Sequence, residues 1–75
     1  MIYMDDMGHL IADKNINELH EFATKIGLKR SWFQNKGDLS HYDLTTPNAR
    51  RRAAAVGAIK VSSRELVRIR RGRRE

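Results

Sequence analysis

The chain contains no cysteine, which excludes a disulfide framework and any thiolate metal site. It also lacks any apolar run approaching the roughly 18 residues that a membrane-spanning helix needs. Its opening residues, Met1-Ile2-Tyr3-Met4-Asp5-Asp6, are acidic and lack the basic stretch that begins a signal peptide. A cytoplasmic location and no membrane partner are therefore expected. No glycine-rich phosphate loop, no Gly-x-Ser-x-Gly nucleophile motif and no His-Glu-x-x-His metal spacing is present. Large apolar side chains are scarce, with one Trp, two Tyr and two Phe among 75 residues. A domain this short buries only about 60% of the surface that its unfolded chain exposes. The core must be small, and a homo-oligomer is expected to supplement it.

Charge is plentiful and unevenly placed. The net charge is +6, from 15 Lys and Arg against 9 Asp and Glu. Residues 1–24 hold one lysine and five acids, a net of −4, so the remaining 51 residues carry +10. An acidic end and a basic face of this kind would attract phosphate groups. Lys and Arg also solubilise surfaces, so charge alone does not name a partner.

Local patterns place the elements. Ile2 and Met4 alternate with Tyr3 and Asp5 as in a strand, residues 5–8 turn, and residues 9–12 form a second short strand. Asn15 with Glu18 three residues on is a capping box. Leu19, Phe22, Ala23 and Ile26 then share one helical face, and Gly27 ends the helix. Residues 28–34 read as extended, 35–38 as a turn, and 41–44 as extended again. Thr46 caps a second helix with Pro47 in its first turn, and Gly57 stops it. Residues 58–61 read as a strand, and Ser62 with Glu65 opens a third helix. Alternating β and α segments predict a small, largely parallel sheet flanked by two to three helices. The expected organisation is a single α/β domain over residues 1–69 and an Arg-rich tail over 70–75.

Several stretches, taken in order, resemble the domain of unknown function 4031 family, small proteins of bacterial and bacteriophage genomes. They are Tyr3-Met4-Asp5-Asp6, His9 to Asp13, Glu18 to Ala23, Ile26-Gly27-Leu28 and Arg30 to Gln34. His41-Tyr42-Asp43-Leu44, Arg50, Gly57-Ala58 and Val61 complete the set, which covers about residues 2–62. The chain departs from the pattern in a shortened Met7-Gly8 segment, an insertion at 35–40 and the arginines after Leu66. The resemblance implies a domain and supplies no established activity.

The His and Asp residues are the candidates for chemistry. Asp5 lies at the carboxyl end of the first strand, where ligands gather in α/β sheets. His9 follows it, and His41 and Asp43 flank Tyr42. Asp5, His9, His41 and Asp43 could supply acid–base groups for phosphodiester or nucleotide chemistry, or bind a divalent metal. They could instead serve the fold, with Asp5 or Asp6 capping a turn and the imidazoles bonded to backbone. His20 sits off the apolar helical face and reads as a boundary residue.

Candidate anion contacts are Arg50 and Arg51 near the start of the second helix, and Arg68 and Arg71 in a stripe with Arg64 on the third. Trp32 or Tyr42 could stack on a base, although aromatics in so short a chain also serve as core. The leading expectation is a small basic accessory protein that binds a phosphate-bearing partner without turnover. That partner is nucleic acid, or a nucleotide or nucleotide-derived signal that the protein sequesters, and no cofactor is required. The first alternative is a minimal nuclease or phosphodiesterase using the His/Asp residues. The second is an inhibitor seated in another protein's nucleic-acid groove.

Overall fold

A computed structural model describes residues 1–35 and 40–72. Its elements run β1 (Ile2–Met4), β2 (His9–Ala12), α1 (Ile16–Lys25), a 3₁₀ turn (Arg30–Trp32), β3 (Phe33–Gln34), β4 (His41–Asp43), α2 (Pro47–Val56), β5 (Ile59–Lys60) and α3 (Ser63–Gly72). Most of the turn expected at 35–38, and Arg73 and Arg74 of the tail, lie outside the described residues.

The helix starts follow the local chemistry. Asn15 Oδ1 accepts the Glu18 N–H at 2.9 Å, and Thr46 Oγ1 accepts the Ala49 N–H at 3.1 Å. Ser62 Oγ accepts the Glu65 N–H at 3.1 Å. Each bond satisfies one of the orphan donors at a helix start.

The sheet is not largely parallel. Its strand order is β3-β4-β2-β1-β5, and of the four strand pairs among the described residues only β1 with β5 is parallel. Connection length is the reason. Four residues join β1 to β2 and six join β3 to β4, whereas a parallel crossover needs a dozen or more. Both links are therefore hairpins. The helices do join strands of like direction: α1 leads from β2 to β3, and α2 from β4 to β5. These strands are not neighbours, because hairpin partners stand between them.

The two faces of the sheet differ. On one, Ile2, Met4, Leu10, Ala12 and Tyr42 meet Leu19, Phe22 and Ala23 of α1 and Ala49 and Ala53 of α2 in one buried cluster. Arg52 Nε donates to the Ile26 carbonyl at 3.0 Å, tying α2 to the end of α1. On the other face lie His9 and Ile11, and α3 packs there through the buried Leu66.

Gly8 fixes the β1–β2 turn against the rest of the chain. Its φ is +88°, and a Cβ there would stand 2.6 Å from the Leu44 carbonyl oxygen and 3.2 Å from the Arg50 guanidinium. The Gly8 carbonyl accepts the Leu44 N–H at 2.6 Å. Gly8→Ala combines left-handed strain with a clash against backbone, and is expected to cost about 2–4 kcal/mol. A urea titration of the variant measures this loss directly.

Candidate functional site

Strand alternation sends His9 and Ile11 of β2, and His41 and Asp43 of β4, to the face that α3 only partly covers. The β2–β4 register sets His9 opposite Asp43. Beside them, residues 63, 66, 67 and 70 of α3 recur at helical spacing and turn the same way. A pocket of about 260 Å³ results, lined by Asp5, His9, Ile11, His41, Ser63, Leu66, Val67 and Arg70.

Asp5 anchors this pocket. It is 4% exposed. Its Oδ1 accepts the backbone N–H groups of Met7 at 3.0 Å and His9 at 2.9 Å, which closes the turn. Its Oδ2 accepts from Ser63 Oγ at 3.0 Å and lies 2.9 Å from His9 Nδ1. Burial pushes the Asp5 carboxyl upward. The hydrogen bonds from the His9 ring, the His9 backbone and Ser63 outweigh it, so the group titrates below its usual range. An ionised carboxylate only accepts, so His9 Nδ1 carries the proton that it donates. In neutral His9, Nε2 then keeps its lone pair.

The His9 and His41 rings meet edge to face, 5.1 Å between centroids. His41 Nε2 lies 3.2 Å from Asp43 Oδ1. One donor atom each from His9, His41 and Asp43 falls within 4.8 Å of the others. The four His and Asp residues nominated from sequence are thus assembled by the hairpin and the β2–β4 register. Arg70 and Ser63 join them and were not nominated. Among the described residues, the Nε of Arg70 is buried without a hydrogen-bond partner. Native proteins seldom leave a buried donor unpaired, and each such group calls for an explanation.

The family model described as Protein of unknown function (DUF4031) matches residues 3–73. The chain belongs to this family. No curated protein and no solved structure matches it. The match takes in nearly the whole DUF4031 chain, including the arginines of α3 up to Arg71. No helix among the described residues is long and apolar enough to cross a membrane.

The other nominated residues of this DUF4031 chain lie apart from the pocket. Arg68 and Arg71 line a shallow hollow on the outer side of α3 with Arg64 and Val67, and Arg68 lies 3.6 Å from Glu65. Arg50 covers Gly8 and donates from Nε to the Leu44 carbonyl at 3.4 Å, a structural contact. Arg51 is exposed and donates to Asn48 Oδ1 within its own helix. Trp32 is exposed, with Lys29 Nζ 5.8 Å from its ring centre, in a hollow bordered by Asp43.

Tyr42 is 1% exposed and belongs to the core. Its hydroxyl lies within hydrogen-bond distance of His20 Nδ1, at 2.8 Å, and Phe33 packs against both rings. Burial pushes His20 below its usual value and Tyr42 above its own; the Arg30 charge lowers both. Both groups are therefore neutral at neutral pH. A histidine held neutral in the fold stabilises it above the unfolded pKa of about 6.5, because below that value the unfolded chain takes up the extra proton. The urea midpoint is expected to fall as pH drops through that region. His20→Gln should flatten this slope when the two proteins are titrated side by side.

Proposed function

We propose that this protein binds a phosphate-bearing ligand, a nucleotide or a nucleic-acid phosphate, in the pocket between α3 and the open face of the sheet. The buried, unpartnered Nε of Arg70 carries this reading. An unmet buried donor costs about 1–3 kcal/mol, and a turn of the side chain that brought this nitrogen to a phosphate oxygen in the pocket would remove that cost. A planar guanidinium suits the geometry of phosphate. His9, His41 and Ser63 line the same pocket. Its volume lies just below the about 300–1,000 Å³ of typical ligand pockets. It would take a phosphate and the group next to it, with the rest of the ligand outside.

Two directions lead out. Val67 borders both the pocket and the Arg64–Arg68–Arg71 hollow, which could receive further phosphates of a nucleic acid. Asp43 borders the hollow of Trp32, whose exposed ring could stack on a base. Binding of short labelled DNA and RNA across a salt series, with free nucleotides as competitors, tests the reading and separates these routes. A steep salt dependence with little competition favours nucleic acid; competition by one nucleotide favours a sequestered small ligand. No binding of either at about 150 mM salt removes the proposal and leaves a protein target.

A second reading, phosphoester hydrolysis, is favoured by the buried Asp5 that orients His9 and by the adjacent His41. One imidazole would take a proton from the attacking water, and the other would protonate the leaving oxygen. In that case His9→Gln abolishes turnover of a phosphodiester while its binding persists.

A further inference from the structure

We infer that His9, His41 and Asp43 form a binding site for one divalent first-row transition ion of the zinc type. Two imidazoles and one carboxylate offer donor atoms within 4.8 Å of one another. Ligands about 2.0–2.2 Å from zinc stand roughly 3.4 Å apart in a tetrahedral shell, so a small rotation closes the set. The side chain of Asp43 is 41% exposed and can make it, while His9 stays on Asp5.

The surroundings of His9 point the same way. Metal-bound histidines commonly donate their other ring N–H to a carboxylate, which fixes the tautomer and raises the basicity of the ligating nitrogen. His9 Nδ1 donates to the buried Asp5, leaving Nε2 as the free donor. The support is rigid, since Asp5 is itself held by two backbone N–H groups and by Ser63. Two imidazoles suit zinc, copper, iron or nickel better than calcium, magnesium or manganese, which prefer oxygen ligands. Three protein ligands leave at least one position open, toward the pocket that Arg70 lines. The inference rests on the phosphate reading only for the occupant of that position, an anion held between the ion and Arg70.

Titration of Zn²⁺ into the untagged, chelator-treated full chain by calorimetry tests this site. One ion per chain is expected. His9→Gln, His41→Gln and Asp43→Asn should each weaken it by at least about 10-fold, the loss that even an outer carboxylate can cause. With the wild-type chain, the ring ¹⁵N shifts of His9 and His41 should move on Zn²⁺ addition, while those of His20 stay put. No binding at millimolar Zn²⁺, or binding that leaves the His9 and His41 shifts unchanged, overturns the inference. Arg70→Leu separates it from the phosphate reading, because that variant should keep zinc and lose inorganic phosphate. Phosphate binding without zinc binding sinks the metal site alone.

Discussion

Asp5→Ala is expected to destabilise the protein by about 2–4 kcal/mol, a large share of the roughly 4–11 kcal/mol that a chain of this length holds. The carboxylate accepts two N–H groups of the β1–β2 turn and the hydroxyl of Ser63, the first residue of α3. Alanine leaves two part-buried backbone donors short of an acceptor and unlinks the start of α3 from the end of β1. Asp5→Asn should cost less, since an amide oxygen can still accept from Met7 and His9. Its NH₂ group, however, would face the His9 ring and the Ser63 hydroxyl in place of an acceptor. Denaturation in urea ranks the three proteins. Equal midpoints for the wild type and Asp5→Ala would contradict the anchoring role given to this carboxylate.

Replacement of Arg70 should move stability and binding in opposite directions. Its buried Nε has no partner among the described residues, and Leu66 and Val67 stand beside it in the pocket wall. Arg70→Leu removes an unmet donor and adds apolar contact, so the free protein should become more resistant to urea. The same change deletes charge-assisted hydrogen bonds worth about 1.5–3 kcal/mol each. Affinity for a phosphate ligand should therefore fall by about 10- to 100-fold. A group kept for packing would lose stability when removed. Loss of stability without loss of ligand affinity would assign Arg70 to the fold.

The parts of this fold legible in the sequence are those set within a few residues. Asn15, Thr46 and Ser62 cap the helices expected of them, and Gly57 ends α2 in the left-handed region. Strand neighbours are set over longer distances. Alternating β and α segments suggested parallel pairing, and the crossovers through α1 and α2 obey that logic. The short links after β1 and β3 override it by placing hairpin partners between the crossover strands. That register is also what lays His9 against Asp43, so these residues could be grouped by type but not by geometry.

Arg70 is hidden in the sequence for a different reason. Residues 70–75 read as a charged tail, whereas α3 continues to Gly72. The signal was nevertheless present: positions 63, 66, 67 and 70 follow the i, i+3, i+4, i+7 spacing of one helical face. Arg64, Arg68 and Arg71 made the more visible stripe, and they occupy the outer side of α3. The aromatic nominations parted in a similar way. Tyr42 alternates into the core with Leu10, its register partner, while Trp32 stands exposed in the 3₁₀ turn that precedes β3.

The central claim is that a phosphate group enters the pocket beside Arg70. The measurement that tests it most directly is NMR mapping of the ¹⁵N-labelled protein, with a mononucleotide added in steps at physiological salt. The account predicts saturable shifts at His9, His41, Ser63 and the Arg70 side chain, lost in Arg70→Leu. Shifts confined to Arg64, Arg68 and Arg71, or unchanged in Arg70→Leu, would contradict it.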